Sequence, residues 1–258
     1  MVIPNTLHLS GWDCLLIVAV TLQATILAYI YDPRWKGFML VLPIPFTIAS
    51  LAVGHPIDAT NILAMNLLLL FTHAVRILHY KLKWPIIASI GCSALTYVVA
   101  GTLLAKVVPS SDVAFWLAFC GTLLLALFVA QRFGPSDEPG YRTPLPLWIK
   151  LPAIMVVITA LVLAKSLLQG FITAFPMVGL VAAYESRYSL RTVCRQIPPV
   201  MLASGALMTA TRLTQATIGF LPALGVGWLV YLVALYPIMQ YTGTVPFTRT
   251  GLAATEAA

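Results

Sequence analysis

Charge is what this chain has least of. Asp, Glu, Lys and Arg make up 9% of its 258 residues, against about 25% in soluble domains. Hydrophobic types make up 60%, with a mean hydropathy of +0.94. This balance excludes an ordinary soluble domain and makes lipid the expected solvent. Carboxylates are scarcest of all: Asp13, Asp32, Asp58, Asp112, Asp137, Glu138, Glu185 and Glu256 fall at the edges of hydrophobic runs or between them, where water relieves the cost of burying charge. With none at an expected membrane midplane, a conventional cation exchanger or a carboxylate-based proton pump is disfavoured.

Catalytic signatures are missing too. There is no His-Glu-x-x-His, no Gly-x-Ser-x-Gly, no phosphate-binding Gly-x-x-x-x-Gly-Lys-Ser/Thr and no pair of intramembrane carboxylates. The chain is therefore not expected to be an enzyme, and no cofactor or metal is implied. Cys14, Cys92, Cys120 and Cys194 form no Cys-x-x-Cys and no zinc-type spacing with histidine, so burial as small apolar side chains is expected. The net charge of +7 is scattered through short loops, with no basic stripe for nucleic acid. Met1 to Trp12 lacks the positive region of a signal peptide, and the first apolar segment is expected to stay as a helix.

What is present is a series of apolar runs of about 20 residues, the length needed to cross about 30 Å of hydrocarbon. They predict an all-α polytopic membrane protein of nine helices near 12–31, 37–54, 60–80, 84–107, 113–132, 147–165, 169–184, 190–212 and 216–240. The polar stretch Gly134–Pro146 is the half-way seam. Nine spans place Arg34, Lys36, Arg76, Lys81, Lys83, Arg132, Arg142, Lys150, Arg187, Arg191, Arg195 and Arg249 on one side and only Lys106, Lys165 and Arg212 on the other. Cytoplasmic loops retain Lys and Arg. The expected location is thus a bacterial inner membrane, with the N-terminus periplasmic and the C-terminus cytoplasmic.

The halves also match each other. At a shift of 133 residues, Gly37-Phe38 and Pro43 fall on Gly170-Phe171 and Pro176, and Ala49 on Ala182. At a shift of 134, Gly91, Leu95, Tyr97, Val99 and Ala100 fall on Gly225, Leu229, Tyr231, Val233 and Ala234. Five helices separate the start of one copy from the start of the next, so the second copy must be inserted upside down. The expected plan is a first repeat (1–110), a linking helix and connector (111–144), a second, inverted repeat (145–242) and a cytoplasmic tail (243–258).

Inverted repeats place substrate sites near the midplane, at helices broken by Gly or Pro. Helices two and seven fit, each with a proline six residues after its Gly-Phe glycine. The candidate substrate-binding residues are Pro43 and Pro176, Thr47 and Thr173 lining the gaps they open, and Asn66, the deepest member of a polar face with His73, Arg76 and Tyr80. His73 reads as a neutral histidine satisfied by a neighbouring helix. On the eighth helix Ser204, Thr209, Thr211, Arg212 and Gln215 form a cluster, and Arg212 with Lys165 could make a charged vestibule. Arg187, Arg191 and Arg195 share a face and are expected to meet anionic lipid headgroups or Glu185.

Ile149-Lys150, the run Ala160 to Lys165, Phe175-Pro176 with Leu180 and Ala182, and Leu190-Arg191-Thr192 resemble the GlpM-like family of small bacterial inner-membrane proteins. The resemblance runs from about Trp148 to Thr192; the first half keeps only Gly37-Phe38 and Pro43. It implies membrane modules of about four helices and an association with exopolysaccharide production. Two functions follow as expectations: a small secondary transporter moving a neutral or anionic metabolite by alternating access, or a non-transporting accessory subunit of a membrane complex. Membrane lipids are partners in either case. Whether the chain forms a homo-oligomer or joins another membrane protein stays open.

Overall fold

Three of the described helices start at short acidic or hydroxyl side chains that cap them. In the computed structural model, which describes residues 10–132, 134, 138–163 and 169–245, Ser10 caps α1 (Gly11–Tyr29) in a capping box with Asp13. Asp32 caps α2 (Pro33–Val41), whose first residue is the proline that suits this position. Asp58 caps α4 (Ala59–Arg76) in a capping box with Asn61. Each cap satisfies amide groups that a helix start leaves without partners. The second helix accordingly begins at Pro33, four residues before the expected start at Gly37.

Between α2 and α4 lies α3 (Ile44–Val53), and α4 ends in a π turn over Ile77–Lys81. Next come α5 (Ile86–Val107), α6 (Asp112–Arg132) and α7 (Leu147–Leu163). A 3-10 turn over Gln169–Ala174 leads into α8 (Met177–Glu185), then α9 (Leu190–Ile218) and α10 (Phe220–Tyr241). The described residues are all helical, without strands. Six segments are long and apolar enough to cross a membrane: Gly11–Tyr29, Pro33–Val53, Ala59–Lys81, Ile86–Val107, Asp112–Arg132 and Phe220–Tyr241. Leu147–Leu163 and Phe171–Glu185 are apolar but shorter.

α9 is different: it has 29 residues and runs past the expected end at 212 because nothing breaks it before Gly219, where φ is +83°. It is not among the six apolar segments because it carries Arg191, Arg195, Gln196, Arg212 and Gln215. It packs on α2, α4, α6 and α10; Gln196 is buried there, while Arg191, Arg195, Arg212 and Gln215 lie toward its two ends, exposed or half-buried. α5 and α6 lie outside and expose Ile87, Leu95, Leu103, Leu117 and Leu124. Cys14, Cys92 and Cys120 are also exposed, and only Cys194 is buried. Outward-facing apolar positions exceed what the core can bury, so these thiols share the outer surface.

Two helices are interrupted. α2 stops at Leu42 and α3 starts after Pro43 (φ −82°, ψ 33°); the 3-10 turn stops before Pro176 (φ −74°, ψ 52°) and α8 follows. Proline has no N–H to continue the ladder and clashes with the preceding turn. Helix resumes identically at both, with Thr47 N donating to Pro43 O (3.0 Å) and Leu180 N to Pro176 O (2.8 Å).

Long-range hydrogen bonds gather the segment ends at two poles. At the connector pole, Tyr29 reaches Leu145 O, Lys36 reaches Tyr141 O and Glu185 O, and Lys150 reaches Ala28 O. At the opposite pole, the backbone of Ile57 meets Gln215 and Arg212, and Arg212 meets Asp112.

α9 and α10 approach closely at Gly227. A Cβ there would sit 2.4 Å from Thr211 Oγ1 and 2.9 Å from Leu207 O, whereas one at Gly225 would meet nothing within 4 Å. Gly227→Ala is expected to cost about 1–3 kcal/mol by overpacking, and Gly225→Ala to gain up to about 1 kcal/mol from helix propensity. Thermal unfolding in detergent should move in opposite directions for the two variants.

Candidate functional site

Thr173 belongs to the 3-10 turn before the Pro176 break, and Asn61 to the first turn of α4. Asn61 Nδ2 donates to Thr173 Oγ1 at 3.1 Å, and Asn61 Oδ1 accepts the Asp58 amide. Both side chains are buried. On one side of this pair lies a vestibule of about 640 Å³, lined by Ser50, His55, Asp58, Asn61, Thr173, Arg212 and Gln215 among others. Its lining grades from exposed His55, Pro56 and Ser110 to buried Ser50, Asn61 and Thr173, so it is a cleft with a wet mouth and a polar floor.

Beyond Thr173 lies a smaller cavity of about 80 Å³ where the two interrupted segments meet. Pro43, Phe46, Phe175 and Pro176 line it, with Met65 of α4 and Val200 of α9. Two buried tyrosines tie these segments to the bundle. Tyr97 of α5 donates to Phe171 O at 2.8 Å, and Tyr231 of α10 donates to Val41 O. Each has at most 1% of its surface exposed; the Tyr231 hydroxyl serves the Val41 carbonyl, to which Pro45 has no N–H to offer, and the Tyr97 hydroxyl adds a donor to a carbonyl of the 3-10 turn.

Three buried ionic side chains gather beneath the surface of the connector pole. Glu185, at the end of α8, pairs with Lys150 of α7 at 3.1 Å and accepts the Thr143 amide at 2.8 Å. Lys36 of α2 donates to the carbonyls of Glu185 and Tyr141. Lys36, Lys150 and Glu185 are 1%, 5% and 3% exposed. One acid and two amines thus join α1, α2, α7, α8 and the connector. Glu138 in the connector caps α9 by accepting from Thr192 N and Oγ1.

Of the sequence-derived candidates, Pro43, Thr173 and Pro176 line the small cavity, and Arg212 lines the vestibule. Thr47 lies beside the break with its hydroxyl already engaged, donating to Pro43 O at 2.9 Å and accepting from Trp228 Nε1 at 2.8 Å. Asn66 faces α6, where it donates to Thr122 at 2.9 Å, and it lines neither space. Asn61, five positions earlier and on a different face of α4, stands at the vestibule floor. Lys165 lies outside the described residues.

Arg212 is paired with Asp112 and lies over the Phe115 ring at 4.7 Å. His73 Nδ1 meets Leu69 O of its own helix at 3.0 Å. The arginines of the α8–α9 turn do not take Glu185: Arg187 stacks on Tyr141, Tyr184 and Tyr188, and Arg195 donates to Thr242 O and Gly243 O. Ser50, Asn61 and the Lys36–Glu185–Lys150 group were not singled out from sequence. The acidic residue before a helical asparagine signalled a cap at Asn61, but not what lay opposite it. No group of metal-ligating side chains comes together among the described residues.

Compared with known proteins, the chain matches no family model, no curated protein and no solved structure.

Removing one partner of a buried ion pair costs about 3–5 kcal/mol, while an exposed pair contributes about 0–1 kcal/mol. Glu185→Ala is therefore expected to lower the unfolding midpoint sharply, and Asp112→Ala, whose side chain is 82% exposed, to shift it little. Equal losses in the two variants would show that the connector pole is not held by buried charge.

Proposed function

We propose that the chain crosses a bacterial inner membrane nine times, as two inverted four-helix repeats around α6, and moves a small neutral or anionic metabolite by alternating access. α1 to α5 form the first repeat and α7 to α10, with the 3-10 turn, the second. The matched interruptions at Pro43 and Pro176 support this plan, as do the two tyrosines. Tyr97 and Tyr231 coincide under the sequence shift, and each binds the interrupted segment of the other repeat.

The observation that carries the transport reading is the vestibule. It reaches the interrupted segments from one pole while buried ions tie the elements of the other together, as an alternating-access protein requires of a state open to one side. The excess of Lys and Arg makes the connector pole cytoplasmic and the open state periplasmic. A non-transporting accessory subunit needs no cleft between its halves. The GlpM-like resemblance of residues 148–192 supports the membrane setting and names no substrate.

In this cycle Pro43 and Pro176 keep the two segments divided, so that each half can move separately. Replacing both with alanine removes one break from each segment, Pro45 remaining in the first, and is expected to lower solute flux into proteoliposomes at least tenfold, read across a panel of labelled neutral and anionic metabolites. Thr173→Val is expected to reduce flux and leave folding intact. Flux that is unchanged in the double variant rejects this site, and background flux from the native chain for every solute favours the accessory role.

A further inference from the structure

We infer that the vestibule takes an uncharged, hydroxyl-rich solute of polyol or monosaccharide size; the inference rests on the transport reading above. Its volume of about 640 Å³ lies within the usual range of small-molecule sites, about 300–1,000 Å³. The selection against charge comes from how the ionic groups in its lining are already engaged. Arg212, the only Lys or Arg in the lining, is held by the Asp112 carboxylate and the Ile57 carbonyl. Asp58, its only carboxylate, caps α4 and accepts from Thr60 N and Oγ1. With Asp112, the mouth carries one positive and two negative side chains, an arrangement that does not concentrate anions.

The floor carries no formal charge. It presents the hydroxyls of Ser50 and Thr173 and the amide of Asn61. Ser50 is 1% exposed, and its Oγ has no hydrogen-bond partner. A buried hydroxyl without a partner is costly, and a solute hydroxyl can both donate to it and accept from it. Past the floor, the route between the interrupted segments is lined by Pro43, Phe46, Phe175 and Pro176. An ion entering it sheds hydration with no fixed charge in return, whereas a neutral hydroxyl loses far less.

The test uses solutes matched in shape and differing in charge: myo-inositol against myo-inositol monophosphate, and glucose against gluconate. Binding is measured calorimetrically to the purified full chain in detergent, and flux in proteoliposomes. Saturable binding and flux are expected for at least one uncharged member, at least tenfold tighter than for its charged partner. Ser50→Ala is expected to weaken that binding about fivefold and Ser50→Thr, which keeps the hydroxyl, to retain it, with unfolding midpoints confirming that both variants fold. Preference for the charged members, uncharged binding indifferent to Ser50→Ala, or no saturable binding by any of the four overturns the assignment. Flux of a charged member alone overturns the solute class and leaves transport standing. Binding of the uncharged member without flux overturns transport and leaves the solute class standing.

Discussion

A helix that stops inside a bundle leaves backbone groups without partners, and in apolar surroundings each costs several kcal/mol. Here two segments stop, at Pro43 and at Pro176, and both are completed from outside themselves. Tyr231 supplies a hydroxyl to Val41 O, and Tyr97 supplies one to Phe171 O. Thr47 adds a second donor to Pro43 O, and its oxygen in turn holds Trp228 of α10. α1, α5 and α10 each supply a side-chain donor to a carbonyl beside these breaks: Gln23 to Met39 O, Tyr97 to Phe171 O and Tyr231 to Val41 O. The small cavity, the vestibule floor at Thr173 and the approach of α4 and α9 to both segments follow from keeping those breaks open and satisfied.

The few ionic groups work mostly at helix ends. Asp13, Asp32 and Asp58 cap the helices they begin, and Glu138 caps α9 from the connector. Glu185 is buried with Lys150 and the Thr143 amide on its carboxylate, and it fastens the pole opposite the vestibule. The asymmetry between poles is thus electrostatic as well as steric. One pole is wet, with its Arg212–Asp112 pair partly exposed; the other has a dry interior, where Glu185 lies with two buried lysines beneath a surface cleft of about 300 Å³ lined by Asp32, Arg34 and Glu138. On the transport reading, the dry pole is the one that must loosen for solute to leave.

Much of this was legible in the sequence because the signals are local. Proline removes a backbone donor wherever it lies, yet Pro152, Pro198, Pro199 and Pro237 sit inside continuous helices; what marked Pro43 and Pro176 was their repetition, each six residues after a Gly-Phe glycine. Apolar run length marked the segments, and errors at their ends came from caps such as Asp32. What lies opposite a residue is not local. Asn61 and Asn66 lie on different faces of α4, and only the seats of the 3-10 turn and of α6 decide that Asn61 meets Thr173 while Asn66 meets Thr122. Lys36 and Lys150 read as loop charges because the connector that folds over them has no periodic pattern to announce its path. Tyr97 and Tyr231 were visible as a matched pair, but their bonds depend on which carbonyls the breaks expose.

The proposal depends on the two interrupted segments running in opposite senses through the bilayer. The turn after each segment, at residues 54–58 and 186–189, should then emerge on opposite faces. Single cysteines replacing the exposed His55 and Tyr188, in a chain freed of its native thiols, can be labelled by a membrane-impermeant maleimide in sealed vesicles of known orientation. Reaction of His55→Cys from the periplasmic face and of Tyr188→Cys only from the cytoplasmic face is expected; labelling of both from the same face would contradict the inverted arrangement.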